Sequence, residues 1–441
     1  MTDRPTVAVL GASGLIGAAI VAGLQDRGIP VVALARRFTD AQRATFGEAA
    51  AETAFAALEA ADLARLFRDR DIDIVVNCVG VLQGGGAEGT DAVHRDFVGR
   101  LLSALADQPE PALLVHASIP GEAANDSTDF ARSKRDGERL VAGSTIPHVV
   151  LRPGFVIAPA AYGGSALMRA LATLPVALPA DLAARPFAIV DSDDIVATVE
   201  AIARRWAAGE RDWANTWDLM APEVPTVGAV VDGFRRRYGG PTPRVTTPGW
   251  ALDLGAKAGD LVARLGWRPP IRSTALAEMR RGVTGDPGPW IAATGIPPRT
   301  LAESLRRLPV SVQEGWFARL YLAKPVIIAV LVVFWAVSGI IALSSFGLAT
   351  GLLTARGFPA GFAVATTIVS SVMDIAVGIA IAFRRTCRFG LYAGILVSIF
   401  YMAGAAVLTP DLWFEPLGAL VKTGPAIVLM MVGLATLEDR G

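Results

Sequence analysis

The stretch Val7-Ala8-Val9-Leu10-Gly11-Ala12-Ser13-Gly14-Leu15-Ile16-Gly17 decides how this chain is read. Four apolar residues run into a turn with a glycine at every third position, and Ala18-Ala19-Ile20-Val21-Ala22-Gly23-Leu24 continues as a helix. A buried parallel strand, a tight turn and a helix opening bring free helix N–H groups up to a pyrophosphate, and glycines let the backbone come close to it. The residues this places at the phosphates are Gly11, Ser13, Gly14, Leu15, Ile16 and Gly17. The spacing is Gly-x-x-Gly-x-x-Gly, not the commoner Gly-x-Gly-x-x-Gly, so its weight comes from its position between strand and helix.

Working outward, the next strand, Val31-Val32-Ala33-Leu34, ends in Ala35-Arg36-Arg37. An acidic residue there would hold a ribose 2′-hydroxyl, whereas Arg36 and Arg37 suit a 2′-phosphate and favour NADP(H) over NAD(H). The alternative is a solvated basic turn. A helix over 58–70 precedes a strand over 72–80, whose small-residue end, Cys78-Val79-Gly80, suits close approach of a cofactor. Residues 83–89 are rich in glycine and read as a mobile loop. A strand over 113–118, a helix containing Phe130-Ala131-Arg132-Ser133-Lys134 and a strand over 149–154 follow. Alternating strands and helices imply an α/β Rossmann-like, doubly wound parallel sheet. Beyond Ala160 the chain reads as a small substrate lobe, with helices over 165–174, 193–205 and 226–238 and a strand over 217–220. There Leu167, Met168, Leu171, Trp213 and Trp217 would make either an apolar pocket or plain core.

These segments together resemble an atypical or extended short-chain dehydrogenase/reductase. The resemblance rests on Gly11 to Gly17, Asn77-Cys78-Val79-Gly80, Ser118, Lys134, Leu151-Arg152-Pro153-Gly154 and the acidic segment Asp191-Ser192-Asp193-Asp194. Among the branches of that family it is most similar to the one containing the reductase-like accessory subunit of respiratory complex I. The resemblance covers about the first 235 residues and adds Pro153 to the cofactor-binding set. It implies Ser118 and Lys134 as catalytic residues beside a tyrosine that handles the proton. Here that tyrosine is Phe130, one helical turn before Lys134, and a phenyl ring cannot act as a general acid. Tyr162, His116 and Asp129 are the candidate substitutes, each also readable as a packing or surface residue, while His94 and His148 show no partner pattern.

The totals point to a second, different half. The chain has 441 residues, 41 basic against 41 acidic side chains and 52% hydrophobic residues. Zero net charge gives no footprint for nucleic acid. A mean hydropathy of +0.45 is high for a soluble protein, and the excess lies after Lys324. Cys78 and Cys387 lack metal-ligand spacing and read as reduced thiols, with no metal site indicated. The run from Met1 to Pro5 leaves no room for a signal peptide, so the first half is expected to stay where it is made.

Residues 310–324, with Trp316, Phe317, Leu320 and Tyr321, read as an amphipathic linker at a membrane surface. Four spans are expected after it, at about 325–348, 362–383, 389–408 and 417–437, each near the ~20 apolar residues that a bilayer needs. The expected domains are thus 1–309, the nucleotide-binding part, the linker 310–324, and the membrane part 325–441. Arg384, Arg385 and Arg388 crowd one loop, while Asp411 and Glu415 lie in another. This predicts a multi-pass protein of the inner membrane with both the first domain and the C-terminus cytoplasmic. Asp374 and Lys422 break the apolar pattern and could pair inside the bundle, or Lys422 could turn outward and Asp374 be protonated.

Asp374 with Gly378, and Pro416-Leu417-Gly418 with Lys422 and Pro425, are similar to the DoxX-like family of four-helix membrane proteins. The expected function is a membrane-tethered NAD(P)H-dependent oxidoreductase acting on a lipophilic, quinone- or isoprenoid-like substrate or on a membrane redox partner. The other reading is a silent NAD(P)-binding redox sensor or accessory subunit.

Overall fold

The structure, a computed structural model, describes residues 4–82, 89–414, 418 and 420–437. Residues 83–88, most of the expected mobile loop, therefore lie outside it. The chain divides into two compact units. One comprises Met1–Gly259 and Pro270–Ala318 and the other Asp260–Pro269 and Arg319–Asp439.

The first unit is built on strands β1 (Val7–Leu10), β2 (Val31–Ala35), β3 (Ala50–Glu52), β4 (Ile74–Asn77), β5 (Leu113–Ala117) and β6 (His148–Pro153). There follow β7 (Phe155–Ile157), β8 (Val176–Ala177), β9 (Ile189–Asp191), β10 (Ala214–Leu219) and β11 (Val245–Thr246). Seven of these form one sheet in the order β10-β6-β5-β4-β1-β2-β3, parallel throughout. Both faces must be covered in such a sheet, which is why β1, β4 and β5 are almost wholly apolar.

The first helices are α1 (Leu15–Asp26), α2 (Asp40–Phe46), α3 (Ala60–Arg68), α4 (Phe97–Ala106), α5 (Asp129–Ala142), α6 (Gly163–Ala172), α7 (Ala180–Ala183) and α8 (Ser192–Ala207). Val7, Val9, Val76 and Val115 pack with Ile20 and Leu24 of α1 and Val199 of α8. Ala8, Leu10, Val75 and Leu114 pack on the other face with Leu63, Phe67, Phe97 and Leu101. A carboxylate opens α8: Asp191 Oδ1 accepts from Asp193 N–H at 2.9 Å. Helices α9 (Val227–Tyr238), α10 (Gly249–Ala263), α11 (Ser273–Arg281), α12 (Gly288–Thr294) and α13 (Leu301–Arg307) complete the lobe. Met168, Phe187, Val230 and Phe234 form its core, while Trp213 and Trp217 belong to the core of the main sheet. Of the five residues offered as pocket or core, Leu167, Met168, Trp213 and Trp217 are buried packing groups and Leu171 is partly buried against the lobe core.

The second unit contains most of α14 (Val312–Ser344), then α15 (Phe346–Thr354), α16 (Ala360–Ala382), α17 (Cys387–Leu408) and α18 (Thr423–Thr436). Three of these, α14, α16 and α17, are long and apolar enough to cross a membrane. Among the described residues α18 has 14, about 21 Å at 1.5 Å per residue, which is short of a ~30 Å hydrocarbon core. Residues 415–417 and 419, where that span was expected to begin, lie outside the described set. The linker over 310–324 is not a separate surface helix. It runs without a break into the first span, with Pro325 inside α14.

Small residues let these helices touch. A Cβ on Gly339 would lie 2.4 Å from Ser371 O, and one on Gly378 would lie 2.8 Å from Ala336 N. Lipid supplies no hydrophobic drive between helices, so close contact of this kind carries the association. Asp374 is answered by Tyr401, whose hydroxyl donates to Asp374 Oδ1 at 2.9 Å. Lys422 is exposed, and among the described residues the partner of Asp374 is Tyr401, not Lys422. Position decides it: Tyr401 on α17 already faces Asp374, whereas Lys422 precedes the first turn of α18.

Candidate functional site

The strand order reverses between β1 and β4, and the chain leaves their C-terminal ends for opposite faces of the sheet, α1 on one and α4 on the other, which is where such a sheet has its crevice. Gly11 has a φ of +78°, a conformation open to glycine at little cost, and a Cβ on it would lie 3.1 Å from the Cys78 carbonyl. Gly17 lets α1 pack onto the turn, since a Cβ there would sit 2.4 Å from Gly11 O. Gly14 is the N-cap of α1, so the cap position itself carries no side chain. Ser13, Leu15 and Ile16 lie between these glycines, and Gln42 holds the turn through Ser13 O at 3.1 Å. The backbone cradle thus fits an anion.

Arg36 and Arg37 follow β2 and are exposed. Glu52 at the end of β3 accepts from Phe38 N–H at 2.8 Å and from Arg43 at 2.5 Å. Its pKa lies below the ordinary carboxylate value, first through the Phe38 amide and then through Arg43, with Arg37 adding to the effect.

The other end of the crevice is built from β4, β5, β6 and α5. Asn77 links two strand ends: its Oδ1 accepts from Val79 N–H at 3.1 Å, so its Nδ2 donates to His116 Nδ1 at 3.1 Å. Lys134 lies buried beneath Gly80, its Nζ donating to Val79 O at 3.0 Å and Ala117 O at 2.9 Å. Burial pushes its pKa down to about 8, with Cys78 pulling weakly the other way, and burial pushes the Cys78 thiol up to about 12. Pro153 ends β6. Lys134, Cys78, Val79 and Gly80 are thus gathered into one place, with Ser118 beside them at the end of β5.

Ser118 does not face outward. Its hydroxyl donates to Glu138 Oε2 at 2.6 Å. Glu138 also takes the Arg152 guanidinium and, at 3.3 Å, that of Arg135. Burial opposes its charge, but Arg152, Ser118 and Arg135 outweigh that and hold it below the usual carboxylate range. Arg135 pairs onward with Asp126 at 3.1 Å, and Arg281 with the same carboxylate at 3.1 Å. The sequence reading missed Glu138. Its only signal was its place one turn beyond Lys134 on the same helix.

Phe130 is half-buried, and its ring meets that of His94 edge-on at 5.6 Å. His94, which the sequence left without a role, lies in a π-helical turn, Ala92–Asp96, ahead of α4. Its Nε2 accepts from Val81 N–H at 3.1 Å, so the proton is on Nδ1 and goes to Ser133 Oγ at 2.8 Å, which itself donates to Phe130 O. Burial, aided by the Lys134 charge, pushes its pKa down to about 3. It stays neutral and serves as a prop. The proposed substitute donors are no better placed. Asp129 is exposed and paired with Arg132 at 2.6 Å, His116 is buried against Asn77, and Tyr162 begins α6.

A cavity of about 770 Å³ adjoins the loop after β5, lined among others by Ser127, Arg185, Lys257, Arg280 and Arg281. It is polar and basic, unlike the apolar pocket expected from the sequence.

Residues 7–174 match the NAD dependent epimerase/dehydratase family, and residues 332–431 match the DoxX-like family. The chain thus carries two regions, each similar to a different family. Among solved structures, the enzyme WbmF of Bordetella bronchiseptica, in complex with NAD+ and UDP, is 14% identical with a TM-score of 0.52. The match covers 74% of this chain and 95% of that one. UDP-glucose-4-epimerase from Stenotrophomonas maltophila, with bound NAD and formylated UDP-arabinopyranose, is 16% identical with a TM-score of 0.51. That match covers 73% of this chain and 100% of the other. At these identities the likeness is one of fold. No curated protein matches this chain.

Proposed function

We propose that this chain is a membrane-tethered protein that binds a pyridine dinucleotide as a ligand, serving as a redox sensor or as an accessory subunit of a membrane complex. One observation carries this reading: position 130 has no hydroxyl, and the Ser118 hydroxyl is bound to Glu138. The usual proton relay is therefore dismantled, while the phosphate cradle is intact. Gly11, Ser13, Gly14, Leu15, Ile16 and Gly17 would hold the pyrophosphate. Arg36 and Arg37 would favour NADP(H) through its 2′-phosphate. Cys78, Val79, Gly80, Lys134 and Pro153 would flank the nicotinamide half. When bound, the dinucleotide supplies or accepts a hydride.

The membrane half supports tethering in the inner membrane. Arg356, after α15, pairs with Asp411, after α17, at 2.7 Å, so these two loops share one end of the bundle. Arg384, Arg385 and Arg388, in the loop after α16, support a cytoplasmic placement of that loop and, with a fourth crossing by the last helix, of the first domain and the C-terminus.

A second reading, an oxidoreductase for a lipophilic quinone- or isoprenoid-like molecule, is favoured by Lys134. At a pKa of about 8 it can release a proton near neutral pH. The basic cavity would then suit an anionic head group on that molecule. The test is purified full-length protein in detergent, titrated with NADPH and NADH and then assayed for NADPH oxidation with a short-chain quinone. Binding of NADPH ahead of NADH, with no oxidation, is the expected result. Steady oxidation with an alkaline limb near pH 8 that Lys134→Met removes would establish the second reading, and no binding of either dinucleotide would defeat both.

A further inference from the structure

Helix α10 has two apolar faces. One, Leu252, Ala256 and Gly259, packs toward Leu182 and Leu276, and Asp253 beside it pairs with Arg280 at 2.9 Å. The opposite face is uncovered: Trp250 is 70% exposed, and Leu254 and Leu261 are each 61% exposed. At about 100° per residue these three side chains fall within about 40° of one another, along about 16 Å of helix. A stripe of large apolar side chains facing water is the pattern of a binding surface, not of a solvated helix.

What covers it is indicated by where the helix leads. Its last turn and the following segment, Asp260–Pro269, belong to the same compact unit as the apolar helices. Trp267 Nε1 donates to Ala382 O, the last residue of α16, at 2.7 Å, and Arg384 N–H donates to Leu265 O at 3.0 Å. The Arg384 guanidinium lies 5.7 Å from the Trp267 ring centroid. Leu261 is thus one helical turn from a segment fastened to the end of a membrane span. Helix α14 carries the same kind of stripe just before it becomes a span, with Val312, Trp316 and Leu320 all exposed.

We propose that α10 is an interfacial helix whose outward face, Trp250, Leu254 and Leu261, is immersed in the head-group region of the membrane that α14, α16 and α17 cross. This rests on the membrane reading above. Tryptophan suits that depth, and Lys257, Arg264 and Arg268 supply basic groups for anionic head groups. The helix thereby gives the nucleotide-binding half its own contact with lipid.

The test uses the full chain with Cys78 and Cys387 replaced by alanine, reconstituted in vesicles of phosphatidylethanolamine and phosphatidylglycerol. Single spin labels are placed at Leu254→Cys and Leu261→Cys, with Val369→Cys on α16 as a lipid reference and Asp69→Cys as a water reference. The expected result is collision with oxygen several-fold above that with a water-soluble nickel chelate at 254, 261 and 369, and the reverse at 69. Labels at 254 and 261 that favour nickel, or that neither reagent reaches because a second copy covers them, overturn the proposal while 369 stays in lipid. If 369 also favours nickel, the membrane reading itself has failed.

Discussion

The turn after β1 and the end of β5 lie on the same edge of one sheet, and they differ in what does the chemistry. At the turn everything is backbone: a left-handed glycine, a second glycine that admits the helix, and a helix whose cap residue is itself a glycine. At the end of β5 the working groups are side chains, held by one another or by backbone carbonyls. Ser118 is on Glu138, His94 on Ser133, and Lys134 on two carbonyls. A backbone site tolerates drift in side chains, whereas proton transfer depends on a single hydroxyl and ends with the loss of one oxygen atom. Binding can therefore outlast catalysis in the same fold.

The largest way to disturb this contrast is to unlock the side-chain end. Glu138→Leu leaves Arg152 and Arg135 facing an apolar group and frees Ser118. Removing one partner from a buried ion pair costs about 3–5 kcal/mol. Urea unfolding of the full chain in micelles, followed by tryptophan fluorescence, should show a loss of that size. A loss under about 1 kcal/mol would mean that Glu138 is solvated and Ser118 available. Next in size is the backbone end. Gly14→Asp meets only Gly11 O, at 3.3 Å from its Cβ, so the fold is kept. It puts a carboxylate where the pyrophosphate is proposed to lie, and NADPH affinity should fall by about 2 kcal/mol, roughly thirtyfold. Unchanged affinity would place the nucleotide elsewhere.

How much of this could be read from sequence follows the same division. The glycine turn, the alternating strands and the three long apolar helices were legible because each depends on residues adjacent in the chain. Phe130 was legible as a missing group for the same reason. The Glu138 network was not, since Arg152 and Asp126 reach it from distant segments. Nor was the role of His94, which depends on Val81 and Ser133 meeting it from both sides. The expected fourth span begins in residues outside the described set, and its described helix is α18, Thr423–Thr436. Asp260–Pro269 was not seen to belong with the membrane helices, because two hydrogen bonds to residues over a hundred positions away place it there.

A pH dependence, absent near neutrality, sharpens the account of His94. Its pKa is about 3 in the folded chain and about 6.5 when unfolded. Between those values the unfolded chain takes up a proton that the folded chain refuses, so stability falls as pH drops through that window. The slope for one such proton is at most about 1.4 kcal/mol per pH unit. His94→Gln, which can still accept from Val81 N–H, should have a flatter acid limb than the parent chain between pH 6.5 and 3. Equal slopes would mean that His94 is exposed to water.

The least disruptive change asks the most of the comparison. Phe130→Tyr adds one oxygen to a half-exposed ring, so stability should move by no more than about 0.5 kcal/mol, and the readout is turnover. With a hydroxyl one helical turn from Lys134, the pair needed to hand a proton to a reduced carbonyl is restored. If the missing oxygen is the only defect, NADPH-dependent reduction of a carbonyl test substrate should appear in the variant alone. It should decline above pH 8 as Lys134 gives up the charge that holds the tyrosine acidic. If nucleotide still binds and no turnover appears, the Ser118–Glu138 bond is a second lock. The double variant Phe130→Tyr with Glu138→Gln, which weakens that bond while keeping the side chain's shape, then tests whether two side-chain changes suffice where the backbone site needed none.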